Sequence, residues 1–171
     1  MKAIIIAAGA STRLRPLTDE MPKCMLDLNG KTILERSIGT LKNNGIADIS
    51  IIKGFKKEKI SYANINYYDN DQYLDNNILH SLICAREQLE AAAANHEEVI
   101  VSYSDIWYAD SVVKTLLNSS AEIAVVVDTA WEQAYIGRTD HPISQAEKAI
   151  FSESGKLLSI GKDISIQATP K

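Results

Sequence analysis

The sequence predicts an α/β protein, with a mainly parallel, partly mixed sheet, helices on both faces and a β-hairpin near the C-terminus. Three observations carry this. Short runs of apolar, β-branched residues alternate with amphipathic segments of helical period, the spacing of βαβ units. The first run, Ile4-Ile5-Ile6, passes straight into Ala7-Ala8-Gly9, a turn with almost no side-chain bulk. The composition is that of an ordinary globular chain: 171 residues, 46% hydrophobic and 23% charged, a length that buries roughly two thirds of the unfolded surface.

The elements follow in order. The opening stretch, Lys2 to Leu28, holds the first strand and a polar corner, Ala10-Ser11-Thr12-Arg13. Thr32 to Asn44 reads as a helix: Ile33, Leu34, Ile38 and Leu41 line one face, Thr32 caps it with Glu35 three residues on, and Gly45 stops it. Ile46 to Lys53 reads as the second strand, broken by Gly54, and Phe55 to Tyr62 as a short basic helical segment. Ile65 to Tyr68 is a brief strand and Asp69 to Asn77 a loop rich in Asp and Asn. Ile78, Leu79, Leu82, Ile83 and Leu89 mark one long amphipathic helix running through Ala91–Ala94. Val99 to Tyr103 reads as a buried strand, Ala109 to Leu117 as a helix, and Ile123 to Val127 as a further strand. Ala149 to Ile160 forms the hairpin about Glu153-Ser154-Gly155-Lys156, and Gln167 to Lys171 is expected to fray. A single domain over residues 1–171 is the expectation.

Composition narrows the function. The formal net charge is −4, from 18 basic and 22 acidic residues, with no basic block, so a nucleic acid polymer is not the expected partner. Cys24 and Cys84 lack metal-type spacing and read as free thiols of a reducing compartment. The chain opens on a strand rather than a leader, and no apolar run approaches the ~18 residues of a membrane span. A cytoplasmic protein that does not enter a membrane is the expectation.

The chemistry begins at the first turn. A buried strand ending in small residues lets backbone N–H groups approach an anion, and Gly9 permits dihedrals closed to other residues. Ser11 and Thr12 add hydroxyl donors, and Arg13 adds a permanently charged fork suited to phosphate oxygens. The stretch reads as a polyphosphate cradle at the carboxyl end of the first strand, where open α/β sheets bind ligands. Small residues here also serve tight strand–helix packing, and that plainer reading stays open. G-x-x-x-x-G-K-[ST] and G-x-G-x-x-G are both absent, which excludes a P-loop and a dinucleotide fingerprint.

The longer pattern is more specific. AAGASTRLRPLT followed by PKCMLDLNGKTILERSI resembles the signature of nucleotidyltransferases that make nucleotide-diphospho sugars and related activated head groups. Ser11 stands at the second small position, and Thr32 where Pro is common. The resemblance implies a Rossmann-like, GT-A-like fold and Mg²⁺-dependent transfer of a nucleotidyl group. It implies catalytic roles for Arg13 and Lys23 on the phosphates, and a nucleotide-binding turn over Ala8, Gly9, Ala10, Ser11 and Thr12. Asp105, past the strand 99–103, reads from position alone as a helix cap or loop residue; the resemblance makes it the Mg²⁺ ligand. Asp110 is read as surface.

Asn76-Asn77-Ile78-Leu79-His80-Ser81-Leu82 opens the long helix. Either Asn suits an N-cap. Sugar nucleotidyltransferases using UTP or dTTP usually carry a G-T-A type turn here, whereas this segment is more similar to relatives that use CTP with phosphocholine or a phosphonate. That likeness puts Asn76, Asn77 and Ser81 near a cytosine. Asp128 to Glu147 gathers Trp131, Tyr135, Arg138 and His141, read either as ordinary loop packing or as an acceptor site. In the second reading Arg138 takes a phosphate or phosphonate and the rings take an amine. The run also resembles nucleotidyltransferase domains attached to phosphonate-synthesis enzymes. Longer relatives draw a second metal carboxylate from beyond the hairpin, so the expectation is a site with Asp105 alone, unless Asp128, Glu147 or a second subunit of a homo-oligomer completes it.

These readings converge on an enzyme that transfers CMP from CTP to a small phosphate or phosphonate acceptor, such as phosphocholine or 2-aminoethylphosphonate, and releases pyrophosphate. A sugar-1-phosphate nucleotidyltransferase using another NTP and a nucleotide-binding regulatory subunit are the rivals.

Overall fold

The computed structural model describes residues 1–139 and 142–164. The chain divides into two compact units, Met1–Ser120 and Ala121–Lys171. The first holds four strands, β1 (Lys2–Ala7), β2 (Asp48–Lys53), β3 (Asn66–Asp69) and β4 (Val99–Tyr103), paired in parallel in the order β3-β2-β1-β4. Four helices accompany them: α1 (Ile33–Asn43), α2 (Ile78–Ile83), α3 (Arg86–Ala94) and α4 (Asp110–Leu117).

The central strand shows why both sheet faces are covered. Alternate residues of a strand point to opposite faces. Ala3, Ile5 and Ala7 of β1 join Leu34, Ile38 and Leu41 of α1 and Val113 of α4 in one buried cluster. Ile4, Ile6 and the following Ala8 join Ile52 and Ala85 in a second, against Leu82 of α2 and Leu89 of α3. An uninterrupted apolar run is what a strand sandwiched between two helical layers requires.

Local signals set the ends of α1. The Thr32 hydroxyl accepts from the Glu35 amide at 3.0 Å. At the other end Gly45 takes φ +81°, and the Ile46 amide reaches back to the Leu41 carbonyl at 3.1 Å, the hydrogen bond of a Schellman stop. Gly54, just past β2, is required for another reason. A Cβ there would lie 2.5 Å from the Ala8 carbonyl oxygen, so only glycine lets the ends of β1 and β2 come this close.

Four expectations need correction. The helix expected to run from Ile78 through the alanine tract is two helices. At the join the Cys84 and Ala85 amides bond three residues back, to Ser81 and Leu82, and the tightened turn sets fully buried Ala85 against Ile4 and Ile6. The basic segment 55–62 contains only a 3₁₀ turn, Lys57–Lys59. Gly9 takes no left-handed φ and a Cβ on it would meet nothing within 4 Å, so it serves as open space in the turn; the left-handed residue is Ser11, at φ +57°. Finally, 123–127 is no strand: it is irregular and exposed, Ile123 at 87%. β-Branched residues favour an extended backbone, but a strand needs a partner, and among the described residues this run has none.

The second unit carries the expected hairpin, β5 (Lys148–Phe151) with β6 (Leu157–Gly161), in register from Lys148↔Gly161 to Phe151↔Leu157 with a bulge at Ile150/Phe151. Gly155 takes φ +79° in its turn. Two 3₁₀ turns, Trp131–Tyr135 and Ile143–Gln145, precede it. The expected fraying of Gln167 to Lys171 lies outside the described residues. Among the described residues no helix is long and apolar enough to cross a membrane.

Candidate active site

β1 lies between β2, reached through α1, and β4, reached by a crossover that passes over β2 and β1. The chain thus reverses its direction of winding beside β1, and at such a switch point the loops leaving two neighbouring strands part and leave a crevice at their carboxyl ends. A cavity of about 330 Å³ occupies that crevice, within the size of small-ligand sites. Gly9 to Leu14 form one wall, Pro22 to Cys24 the next, Tyr103 to Asp105 the third, and Ile78 closes it from the start of α2. Gly9, Ala10, Ser11, Thr12, Arg13, Lys23 and Asp105 therefore meet here, as the sequence reading grouped them, while Ala8 lies buried beneath.

The turn is held by its own side chains. Ser11 carries a backbone conformation that glycine adopts freely and that costs other residues about 1 kcal/mol or more. Its hydroxyl donates to the Gly9 carbonyl at 3.3 Å and accepts from the Lys23 amide at 2.9 Å. Its carbonyl accepts from the hydroxyl of fully buried Thr18 at 2.6 Å. Arg13 is exposed and has no ion pair among the described residues, so its guanidinium is available to an anion.

Across the cavity the Lys23 ammonium meets the Asp105 carboxylate at 2.5 Å. The loop carrying Asp105 is tied to α1: the Ser37 hydroxyl donates to the Ile106 carbonyl at 3.0 Å, that of Thr40 to the Tyr108 carbonyl at 3.3 Å, and the Arg36 guanidinium lies 5.2 Å from the centre of the Trp107 ring. Ser37 and Thr40 are buried, and polar residues on the inner face of an amphipathic helix were the signal by which they were findable. Cys24, behind Lys23, is also in the wall. Burial pushes its thiol up to about 11, against an opposing hydrogen bond with Ser104, so it is a neutral part of the wall at physiological pH.

In the asparagine segment the expected N-cap is Asn77. The Asn77 side chain accepts from the His80 amide at 3.0 Å, capping α2. Asn76 and Ser81 both bond Asn70, a 2% exposed side chain: the Asn70 amide donates to Asn76 at 3.0 Å and to Ser81 at 2.9 Å, and the Asn76 amide donates back at 2.9 Å. These contacts make Asn70 the tie between the loop after β3 and α2, and of the three expected base-binding residues none lines the cavity.

In the second unit Trp131 and Tyr135 meet edge to face, ring centres 5.8 Å apart, and the Arg138 guanidinium sits 5.0 Å over the Tyr135 ring. The structure thus brings three expected acceptor residues together. The Asp128 carboxylate accepts from the Ala130 amide at 2.8 Å, a local turn contact, and Glu147 is exposed. His141 lies outside the described residues.

Known proteins resemble this chain in sequence and in fold. A CTP:phosphoglutamine cytidylyltransferase of Campylobacter jejuni is 33% identical over 168 residues, 95% of this chain and 66% of that protein. The solved CTP:phosphocholine cytidylyltransferase of Streptococcus pneumoniae superposes with a TM-score of 0.55 at 36% identity, over 64% of this chain and 49% of that one. The inositol-1-phosphate CTP transferase of T. maritima shares the fold, with a TM-score of 0.66 at 19% identity over 95% of this chain and 64% of that chain. The chain spans no more than two thirds of the length of these relatives. The model of the MobA-like NTP transferase domain matches residues 3–162, from β1 to just past β6, and the chain belongs to that family.

Proposed function

We propose that this chain carries the nucleotide-handling site of a cytidylyltransferase, which joins CMP to a small phosphate or phosphonate acceptor. The observation that carries the proposal is the meeting of Arg13, Lys23 and Asp105 with the Gly9–Thr12 turn in one crevice at the β1/β4 switch point. An acceptor oxygen attacks the α-phosphorus of CTP in line. The new P–O bond forms as the bond to the α,β-bridging oxygen breaks, and pyrophosphate leaves with the electron pair. Such a transfer needs positioning and charge neutralisation rather than a covalent nucleophile. The exposed Arg13 fork binds the oxygens of the leaving diphosphate, and Lys23 moves from Asp105 to the phosphates when nucleotide enters. The turn's backbone amides orient the chain of phosphates.

One carboxylate at the cavity suits Mg²⁺, which completes its shell with phosphate oxygens and water; held by Asp105, it would supply further neutralisation of charge. The preference for CTP rests on the cytidylyl donors named in the relatives. On the second unit, Trp131, Tyr135 and Arg138, with Asp128 and Glu147, are proposed to hold the acceptor.

The test is pyrophosphate release with Mg²⁺, each of the four NTPs, and phosphocholine, 2-aminoethylphosphonate, phosphoglutamine and sugar 1-phosphates as acceptors. CTP with one of the first three is expected to be turned over best. Preference for UTP with a sugar phosphate would replace this reading with the sugar-nucleotide one. Nucleotide binding without any turnover would favour a regulatory subunit.

A further inference from the structure

We propose that Thr18 is a positioning residue for Lys23, acting through Ser11. The inference rests on the reading above that Lys23 meets nucleotide phosphate. Thr18 is fully buried, yet its hydroxyl is aimed not into the core but at the Ser11 carbonyl, 2.6 Å away. Ser11 is the one residue of the Gly9–Arg13 turn with a left-handed backbone. In that conformation its own hydroxyl faces the second loop of the site and receives the Lys23 amide at 2.9 Å.

Three residues far enough apart to belong to separate turns are thereby fastened in series: Thr18 hydroxyl to Ser11 carbonyl, Ser11 hydroxyl to Lys23 amide. Each link is directional. A hydrogen bond to the Ser11 carbonyl fixes the plane of the peptide that follows it, and with it the rotation that turns Ser11 outward. Without the Thr18 hydroxyl, Ser11 loses a partner that selects the less favoured backbone state, and an extended or right-handed conformation carries its side chain away from the Lys23 amide. Lys23 keeps its charge but loses its registration against Arg13. Misplacement on the order of 1 Å of a group acting on phosphate slows a reaction by up to about a hundredfold. Thr18 is not itself a residue of the cavity wall and reaches it through the Ser11 carbonyl.

The test uses Thr18→Val, which removes the hydroxyl and keeps the shape, Thr18→Ser, which keeps the hydroxyl, and Ser11→Gly, which keeps the backbone state and removes the link. In hydrogen-exchange NMR of the full ligand-free chain, the Lys23 amide should exchange about tenfold or more faster in Thr18→Val and Ser11→Gly but not in Thr18→Ser, with the amides of β1 and β2 unchanged. With Mg²⁺ and the nucleotide and acceptor that the parent chain turns over, Thr18→Val should be slowed about 10- to 100-fold, Thr18→Ser restored to within about threefold, and Thr18→Val should add nothing in a Lys23→Ala background. Unchanged Lys23 exchange in Thr18→Val overturns the proposal, as does full multiplication of the Thr18 and Lys23 effects on rate. If Thr18→Val also loses β1 protection, Thr18→Ala decides in its place. A parent chain without turnover sinks the proposed function and leaves the exchange result standing.

Discussion

At the scale of single residues, the pairing of Lys23 with Asp105 has two readings that experiment can separate. As a half-exposed surface pair it contributes little to stability. As a contact between two groups that the proposed reaction needs apart, it makes cation and lysine competitors for one carboxylate. Replacing Lys23 with Met should then let Mn²⁺ bind the nucleotide-free chain about threefold or more tightly, measured by the electron paramagnetic resonance of free Mn²⁺, while pyrophosphate release is lost. Unchanged Mn²⁺ affinity would separate Asp105 from the metal.

Cys24 makes a second prediction. Its thiol is raised from 9.0 to about 11 by burial, so the folded state holds a proton that the unfolded chain releases above pH 9. The associated stability is present in full below pH 9 and is lost as pH rises from 9 to 11, at about 1 kcal/mol per pH unit. Burial also raises Tyr62, Tyr68 and Tyr108, which act in the same direction. Urea unfolding of the parent chain and of Cys24→Ala across this range should therefore differ in slope, the variant falling less steeply.

At the scale of elements, Gly54 is the position where backbone meets backbone. Gly54→Ala places a methyl group against the Ala8 carbonyl at a distance no contact tolerates. It should cost about 1–3 kcal/mol, read as a lowered urea midpoint, and weaken nucleotide binding, because the strand end that must shift carries the Gly9 turn. Much of this level was legible in advance. Thr32, Glu35 and Gly45 bound α1 by local chemistry alone, and β1 announces its double burial by having no polar residue between Ala3 and Ala8. The join at Cys84–Ala85 was not legible, because the apolar spacing continues across it and only the sheet beneath decides where a small residue must touch. Ser11 was read as a phosphate donor since its type suits one; its left-handed backbone depends on Thr18 and Lys23, partners in other turns. The contacts of Asn76 and Ser81 with Asn70 were not legible for a similar reason, since Asn70 sits in a loop with no periodicity to mark it.

At the scale of the whole molecule, the first unit contains both buried clusters and every residue of the cavity wall. We propose that residues 1–171 nonetheless unfold as one domain. Scanning calorimetry should give a single transition whose calorimetric and van't Hoff enthalpies agree; two resolved transitions would make the units independent.

The run from Ile123 to Val127 has a consequence of a different kind. Five consecutive residues without charge, proline or glycine, four of them β-branched and all exposed, have the composition of an aggregation-prone window. Glu122 and Asp128 stand at its two ends, where like charges repeated along a fibril would repel one another as gatekeepers. Solubility of this protein is therefore expected to depend on these two carboxylates, and the double variant Glu122→Gln, Asp128→Asn should form thioflavin-positive aggregates under conditions in which the parent chain stays clear.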